Sequence, residues 1–173
     1  MGKYTRSVSS GPAARTTSGD NWTCDPAYSV GLLMPYQFVD HTGDVAVDLD
    51  APDLATLFAD AAAALTDTLV DRATVEATAS REVRLVSSDP ELLLVDWLSE
   101  LLFAFEAEGW LTRDASVLIT SGSDGWSLHG TARGELFDPE RHHARVLVKA
   151  ITYHALAIRQ TGSRSTARVV FDI

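Results

Sequence analysis

Cysteine is nearly absent. Cys24 stands alone, so no internal disulfide can form and stability has to come from a buried core. A lone cysteine fits a reducing compartment. No apolar run reaches the roughly 18 residues a membrane span needs. The N-terminal segment carries Lys3, Arg6 and Arg15 without an apolar stretch of secretory-signal length, so the cytoplasm is the expected setting. Basic charge is also scarce: 14 Lys and Arg face 24 Asp and Glu, a net charge of −10. An acidic surface repels a phosphate backbone, which disfavours direct RNA or DNA binding. It favours instead a protein partner with a basic cleft.

The usual catalytic signatures are missing too. The histidines are His41, His129, His142, His143 and His154, and no pair has the spacing of a zinc-binding HExxH helix. In SGSDG no serine has glycine both two residues before and two after it, so it is no nucleophile elbow. GELFDPERHH has no phosphate-cradling glycine loop.

What is present reads as one ordinary globular domain, with 46% hydrophobic and 22% charged residues over 173 positions. Residues 1–33 are rich in Ser, Thr, Gly and Ala without periodicity, and are expected to be a disordered or non-native extension. Patterning begins at Met34-Pro35, so the domain is placed at residues 34–173. The tail holds three basic and two acidic residues, leaving the domain 11 basic and 22 acidic.

YQFVDHTGDVAVDLD alternates at period two on both sides of His41-Thr42-Gly43-Asp44, which predicts a strand, a tight loop and a second strand. In APDLATLFADAAAALTDTLVD, apolar residues at spacings of three and four predict a helix. Asp53, Asp60 and Asp67 recur every seventh residue and are read as a solvated face. A strand over Arg81–Val86 follows. Ser88-Asp89-Pro90-Glu91 matches a capping box before LLLVDWLSELLFAFEAEGW, a second helix broad enough in its apolar face to lie largely buried. Beyond Ala115 the pattern is strands: a hairpin through SGSDG, a run HARVLVKAITYHALAIRQ, the turn TGSRS, and ARVVFDI. The expected class is α+β, an antiparallel or mixed sheet carrying two main helices.

Chemistry has three places to reside: the His41–Asp44 loop, the stretch from Glu135 through His142 to Lys149 and His154, and the closing Phe171-Asp172-Ile173. Asp44, Asp172 and a terminal carboxylate at Ile173 would supply three anionic oxygen sources, the ligand type hard divalent cations prefer. Asp44 can equally serve as a turn cap. A continuous strand would put Lys149 and His154 on opposite faces, so one site using both requires a bulge.

VDHTGDVAVDLDAPDLATLFADAAAALTDTLVD resembles the opening of the archease family, whose mark is a His-Thr-Ala-Asp loop before a strand and an acidic, alanine-rich helix. VDWLSELLFAFEAEG is similar to the family's second helix. GELFDPERHHARVLVKAITYHALAI resembles its Gly-Glu block, the following His, and Val-Lys-Ala-Ile-Thr-Tyr-His. FDI matches the family's ending. The likeness runs over about residues 35–173, with Gly43 where Ala is usual. It implies an accessory protein, not an enzyme, that promotes the GTP- and metal-dependent guanylylation of the tRNA-splicing RNA ligase. It further implies a divalent-metal site at Asp44, Asp172 and Ile173, with calcium the associated ion and magnesium or manganese as alternatives. Lys149 matches a position important for activation, and His41, Glu135, His142 and His154 are the other candidates for the partner site. Two other classes stand beside this reading: a stand-alone metal-dependent phosphoester hydrolase using Asp44, His142 and Asp172, and a chaperone-like structural adaptor.

Overall fold

The structure, a computed structural model, describes residues 36–41, 43–123, 125–153 and 156–173, with the backbone alone at Asp40 and His41. The expectations for residues 1–33 and for His154 therefore lie outside the described residues. The elements run β1 (Tyr36–His41), β2 (Asp44–Ala51), α1 (Leu54–Leu69), a single 3-10 turn (Arg72–Thr74), β3 (Ala79–Ser87) and α2 (Pro90–Glu108). Five strands follow: β4 (Trp110–Gly122), β5 (Gly125–Leu136), β6 (Ala150–Thr152), β7 (Ile158–Thr161) and β8 (Arg164–Asp172).

The α+β class with two main helices holds, but the strands form two sheets. One has the order β1-β2-β8-β6, with β7 also on β8, and the other is β3-β5-β4; among the described residues every strand pairing is antiparallel. Both helices touch strands of both sheets and so form a middle layer. That placement explains α2, which buries Leu93, Leu94, Val95, Trp97, Leu98, Leu101, Leu102 and Ala104 around most of its circumference. The helices are tied by Trp97, fully buried, whose indole N–H donates to the Phe58 carbonyl at 3.1 Å. β5 passes close over the same ring: a Cβ at Gly130 would lie 2.8 Å from Trp97 Cζ3. Among the described residues no helix is long and apolar enough to cross a membrane.

Three local expectations need correction. The N-cap of α2 is Asp89, not Ser88: the Asp89 carboxylate accepts from Leu92 N–H at 2.7 Å with Pro90 in the first turn, while Glu91 accepts from Ile158 N–H at 3.0 Å. Aspartate accepts more strongly than a hydroxyl, and the proline fixes the helix start one residue later. The run HARVLVKAITYHALAIRQ is not one strand. Among its described residues regular pairing survives only in β6 and β7, because β8 offers partners at residues 170–172 and again at 164–167.

The third correction concerns α1. Asp53 caps the helix by accepting from Thr56 N–H at 2.7 Å, but the other two aspartates are not a solvated face. Asp67 accepts from the Tyr36 hydroxyl, from Arg72 N–H at 3.1 Å and from Arg72 Nε at 3.2 Å. Asp60 has a buried Oδ2 with no hydrogen-bond partner. A seven-residue repeat says which residues share a face, while the neighbouring strand decides whether that face is wet. Burial pushes the Asp60 carboxyl up from 3.8 to about 6; Arg72 opposes the shift and Asp53 adds to it.

A raised carboxylate favours folding only when protonated. Its penalty is therefore present above about pH 6 and fades as pH falls through 6 towards 3.8. Solvent at the exposed part of the residue screens the charge, leaving a penalty of about 1 kcal/mol. Asp60→Asn should then stabilise the protein by about that amount at neutral pH and by almost nothing near pH 4. Urea denaturation at the two pH values checks this; equal gains at both would refute it.

Candidate functional site

β2 and β8 run side by side down the first sheet. Their odd-numbered residues, Val45, Val47 and Leu49 against Phe171, Val169 and Ala167, face the core, so their even-numbered residues share the other face. On that face Asp48 and Asp50 each have an arginine. Asp48 lies opposite Arg168 and receives a fork of two hydrogen bonds, both 2.6 Å, from Nε and Nη2. Those bonds hold the Asp48 carboxyl below its ordinary range. Asp50 receives Arg164 Nε at 2.9 Å.

The rung at the end of the sheet differs. Asp44 lies opposite Asp172, and neither carboxylate has a hydrogen bond or ion pair among the described residues. Side chains directly opposite on antiparallel strands stand roughly 5 Å apart at Cβ, and like charges there are destabilising. The turn that delivers Asp44 is tight: His41 pairs with Asp44 across residues 42–43, and Gly43 adopts φ 92°, which an L side chain rarely takes.

Lys149 closes the other side. Its backbone N–H donates to the Asp172 carbonyl at 2.8 Å, and its Nζ donates to the Ile173 main-chain oxygen at 2.8 Å. Ile173 is half-buried and packs against the core, which fixes that oxygen in place. On β6, Ala150 pairs with Asp172 and Thr152 with Val170, so Thr152 is on the same sheet face as Asp172. Its Oγ1 is buried without a hydrogen-bond partner. Sequence reasoning did not single out this hydroxyl, because its burial depends on packing between distant segments.

Two carboxylates and a main-chain oxygen form an all-oxygen set, the chemistry a hard divalent cation takes. Among the described residues no group of three or more His, Cys, Asp or Glu side chains could hold a metal by itself. The residues thus fit a cation as an incomplete shell, with the remaining positions left to water or to a partner. Lys149 already occupies the Ile173 oxygen and competes with a cation for it.

Glu135 and His142 come together elsewhere, on and beside β5 of the second sheet. His142 is 1% exposed and Glu135 8%. Asp138 N–H donates to His142 Nδ1 at 2.9 Å, which makes Nδ1 the acceptor and puts the proton on Nε2, 3.2 Å from Glu135 Oε1. Glu76 N–H also donates to Oε1, at 2.6 Å, and Arg141 donates to Oε2. Burial alone would raise the Glu135 carboxyl, but Arg141 and the Glu76 N–H hold it below its ordinary range. Both imidazole nitrogens are engaged, so this pair latches the segment after β5 to the chain before β3.

The candidate residues thus fall into two groups, Asp44, Asp172, Ile173 and Lys149 in one and Glu135 with His142 in the other. The His41 side chain and all of His154 lie outside the described residues. Arg141, which no motif marked, proves to be the main cation of the second group; its spacing of six from Glu135 carries no regular-structure signal.

Comparison with known proteins identifies the family. The family model described as the Archease protein family (MTH1598/TM1083) matches residues 36–173. Protein archease of Methanopyrus kandleri is 36% identical over 140 residues, spanning 81% of this chain and 100% of its own length. Protein archease of Methanothermobacter thermautotrophicus is 38% identical over 138 residues, spanning 80% and 98%. The solution structure of Methanobacterium thermoautotrophicum protein 1598 superposes with a TM-score of 0.70 at 35% identity, covering 82% of this chain and 100% of that one. The crystal structure of an archease, possible chaperone, from Thermotoga maritima has a TM-score of 0.53 at 18% identity over 78% and 94%, a likeness of fold. On the family match and these relatives, the chain belongs to the archease family.

Proposed function

We propose that this protein is a cytoplasmic activator, not itself an enzyme, of the tRNA-splicing RNA ligase that joins a cyclic-phosphate or 3′-phosphate end to a 5′-hydroxyl end. It acts by promoting the ligase's GTP-dependent guanylylation and hence repeated turnover. One observation carries the reading: on a sheet face where Asp48 and Asp50 each have an arginine, Asp44 faces Asp172 without a counter-charge. An unmatched acidic pair at the end of a sheet is a natural place for a divalent cation, calcium first, with magnesium or manganese as alternatives. The resemblance to archeases supports this partner class. The net charge of −10 supports docking into a basic protein cleft over binding naked RNA.

In this reading Asp44, Asp172 and the Ile173 oxygen would hold the cation. A bound divalent ion supplies positive charge that phosphate oxygens can share. Lys149, exposed and already at the Ile173 oxygen, would fix the ligand oxygen while the site is empty and turn to phosphate when a cation displaces it. The Asp44 and Asp172 carboxylates need no proton transfer for this, consistent with activation in trans.

The decisive measurement is ligase–GMP formation under limiting ligase, with and without this protein, across calcium, magnesium and manganese. Stimulation abolished by chelation and restored by one ion supports the proposal. Phosphodiester or phosphomonoester turnover by this protein alone would favour the hydrolase reading instead, and stimulation indifferent to chelation would favour an adaptor.

A further inference from the structure

Among the described residues one arginine stands alone. Arg159, on β7, is exposed and has no hydrogen bond or ion pair, whereas every other described arginine meets a carboxylate or a main-chain carbonyl. In a chain with 24 acidic and 14 basic residues, carboxylates are not in short supply. Arg159 lies opposite Thr166 of β8, which puts it on the same outer sheet face as Arg168, Asp44 and Asp172. Arg168, two residues along β8, is its diagonal neighbour, within reach of a long side chain. Arg159, Thr166, Arg168 and Asp48 line one cavity of about 530 Å³. Arg168 commits Nε and Nη2 to Asp48 and leaves Nη1 without a hydrogen bond among the described residues. Two guanidinium groups thus point free N–H donors at the same space.

We propose that Arg159 and Arg168 Nη1 receive a carboxylate of the protein partner, so that one partner surface covers this sheet face from the unmatched Asp44–Asp172 pair to Arg159. The inference rests on the ligase reading above. Thr166 stands six residues along β8 from Asp172, about 20 Å at 3.4 Å per residue. A standard interface covers about 800 Å² per partner, roughly 30 Å across, so both ends fit beneath one partner. The partner then has to be basic where it meets Asp44 and Asp172 and acidic where it meets Arg159, a pattern that fixes its orientation. A guanidinium holds a carboxylate by two parallel hydrogen bonds, which gives the contact its geometry. Charge also decides against a nucleic-acid strand in this cleft. Asp48 lines the cavity and Asp50 lies across β8 from Arg159, while Asp44 and Asp172 lie on the same face, so a polyanion would be repelled along its length. A single carboxylate meets only the two guanidinium groups.

Titration of the full chain into limiting ligase, read as ligase–GMP formation, tests the proposal. Arg159→Glu should raise the concentration giving half-maximal formation by at least ~10-fold and leave the plateau in place. Arg84→Glu changes the net charge equally, on the other sheet, and should shift that concentration by less than ~2-fold. Both positions are exposed, so both variants should keep the wild-type circular dichroism. Restoration of Arg159→Glu by one Asp-to-Arg or Glu-to-Arg change on the ligase would support the cleft. Equal shifts in the two variants would reduce the effect to net charge and overturn it. Binding of a 3′-phosphorylated RNA oligonucleotide that Arg159→Glu abolishes, with the half-maximal concentration unmoved, would assign the cleft to phosphate and overturn it as well. An Arg159→Glu protein equal to wild type, beside an Asp44→Ala protein that loses the plateau, would overturn this inference alone. A wild type without any stimulation would overturn the ligase reading and this inference with it.

Discussion

Asp44→Ala is expected to fold normally, to bind calcium at least ~10-fold more weakly, and to lose the stimulation of ligase–GMP formation in step. The size of the effect follows from how little else the site contains. Among the described residues the site offers Asp44, Asp172 and the Ile173 oxygen, so Asp44→Ala removes one of its two side-chain carboxylates. The direction of the stability change separates this role from a structural one. Asp44 has no bond to lose among the described residues and faces a like charge, so the cation-free variant should be as stable as wild type or slightly more so. Calorimetric titration with calcium, thermal unfolding with and without chelator, and guanylylation under limiting ligase measure the three quantities. A folded Asp44→Ala protein that stimulates as well as wild type would end the proposal. A variant strongly destabilised without cation would show that Asp44 is a turn residue instead.

Glu135→Ala should act in the opposite way, through stability first. The substitution leaves the His142 Nε2–H and the Glu76 N–H without their acceptor in a region where His142 is 1% exposed. A buried donor left unpaired costs its desolvation penalty, and two together amount to a loss of about 3 kcal/mol. The pH dependence has a definite sign. The folded Glu135 carboxyl lies below its ordinary value of 4.5, so its contribution is complete above that pH and is lost as pH falls through the folded value. Wild type should therefore lose stability in acid that Glu135→Ala no longer has to lose. Denaturant midpoints between neutral and acid pH measure this, and an unchanged midpoint would exclude the latch. Stimulation by the folded fraction should persist at low temperature. Its disappearance in a fully folded Glu135→Ala protein would instead assign this group to the activation site that the family resemblance implies.

The two local groups were legible to different degrees. Asp44 could be found because four polar residues interrupt two alternating runs, and a hairpin turn needs only some of them. Its pairing with Asp172 could be stated from the resemblance but not from spacing, since nothing local links a loop near the start of the domain to its last strand. Glu135 and His142 were visible as polar residues beside strands, yet their burial was not. That depends on Arg141 and on the backbone of Glu76, contributed from before β3. Asp60 shows the limit most clearly: its heptad companions imply one exposed stripe, and the packing of α1 between the sheets buries part of it.

By itself the amino-acid order determined what depends on near neighbours: both helices and their limits to within about three residues, the hairpins around Gly43 and Gly162, and the acidic character that points to a protein partner. Periodicity and turn chemistry act over a few residues, so a single strip of chain carries them. Only the tertiary structure decided which strands lie side by side, that there are two sheets instead of one, and which carboxylates are left without a counter-charge. Those outcomes follow from burying one continuous core, and register across a sheet is a property of distant segments meeting, which no short window contains.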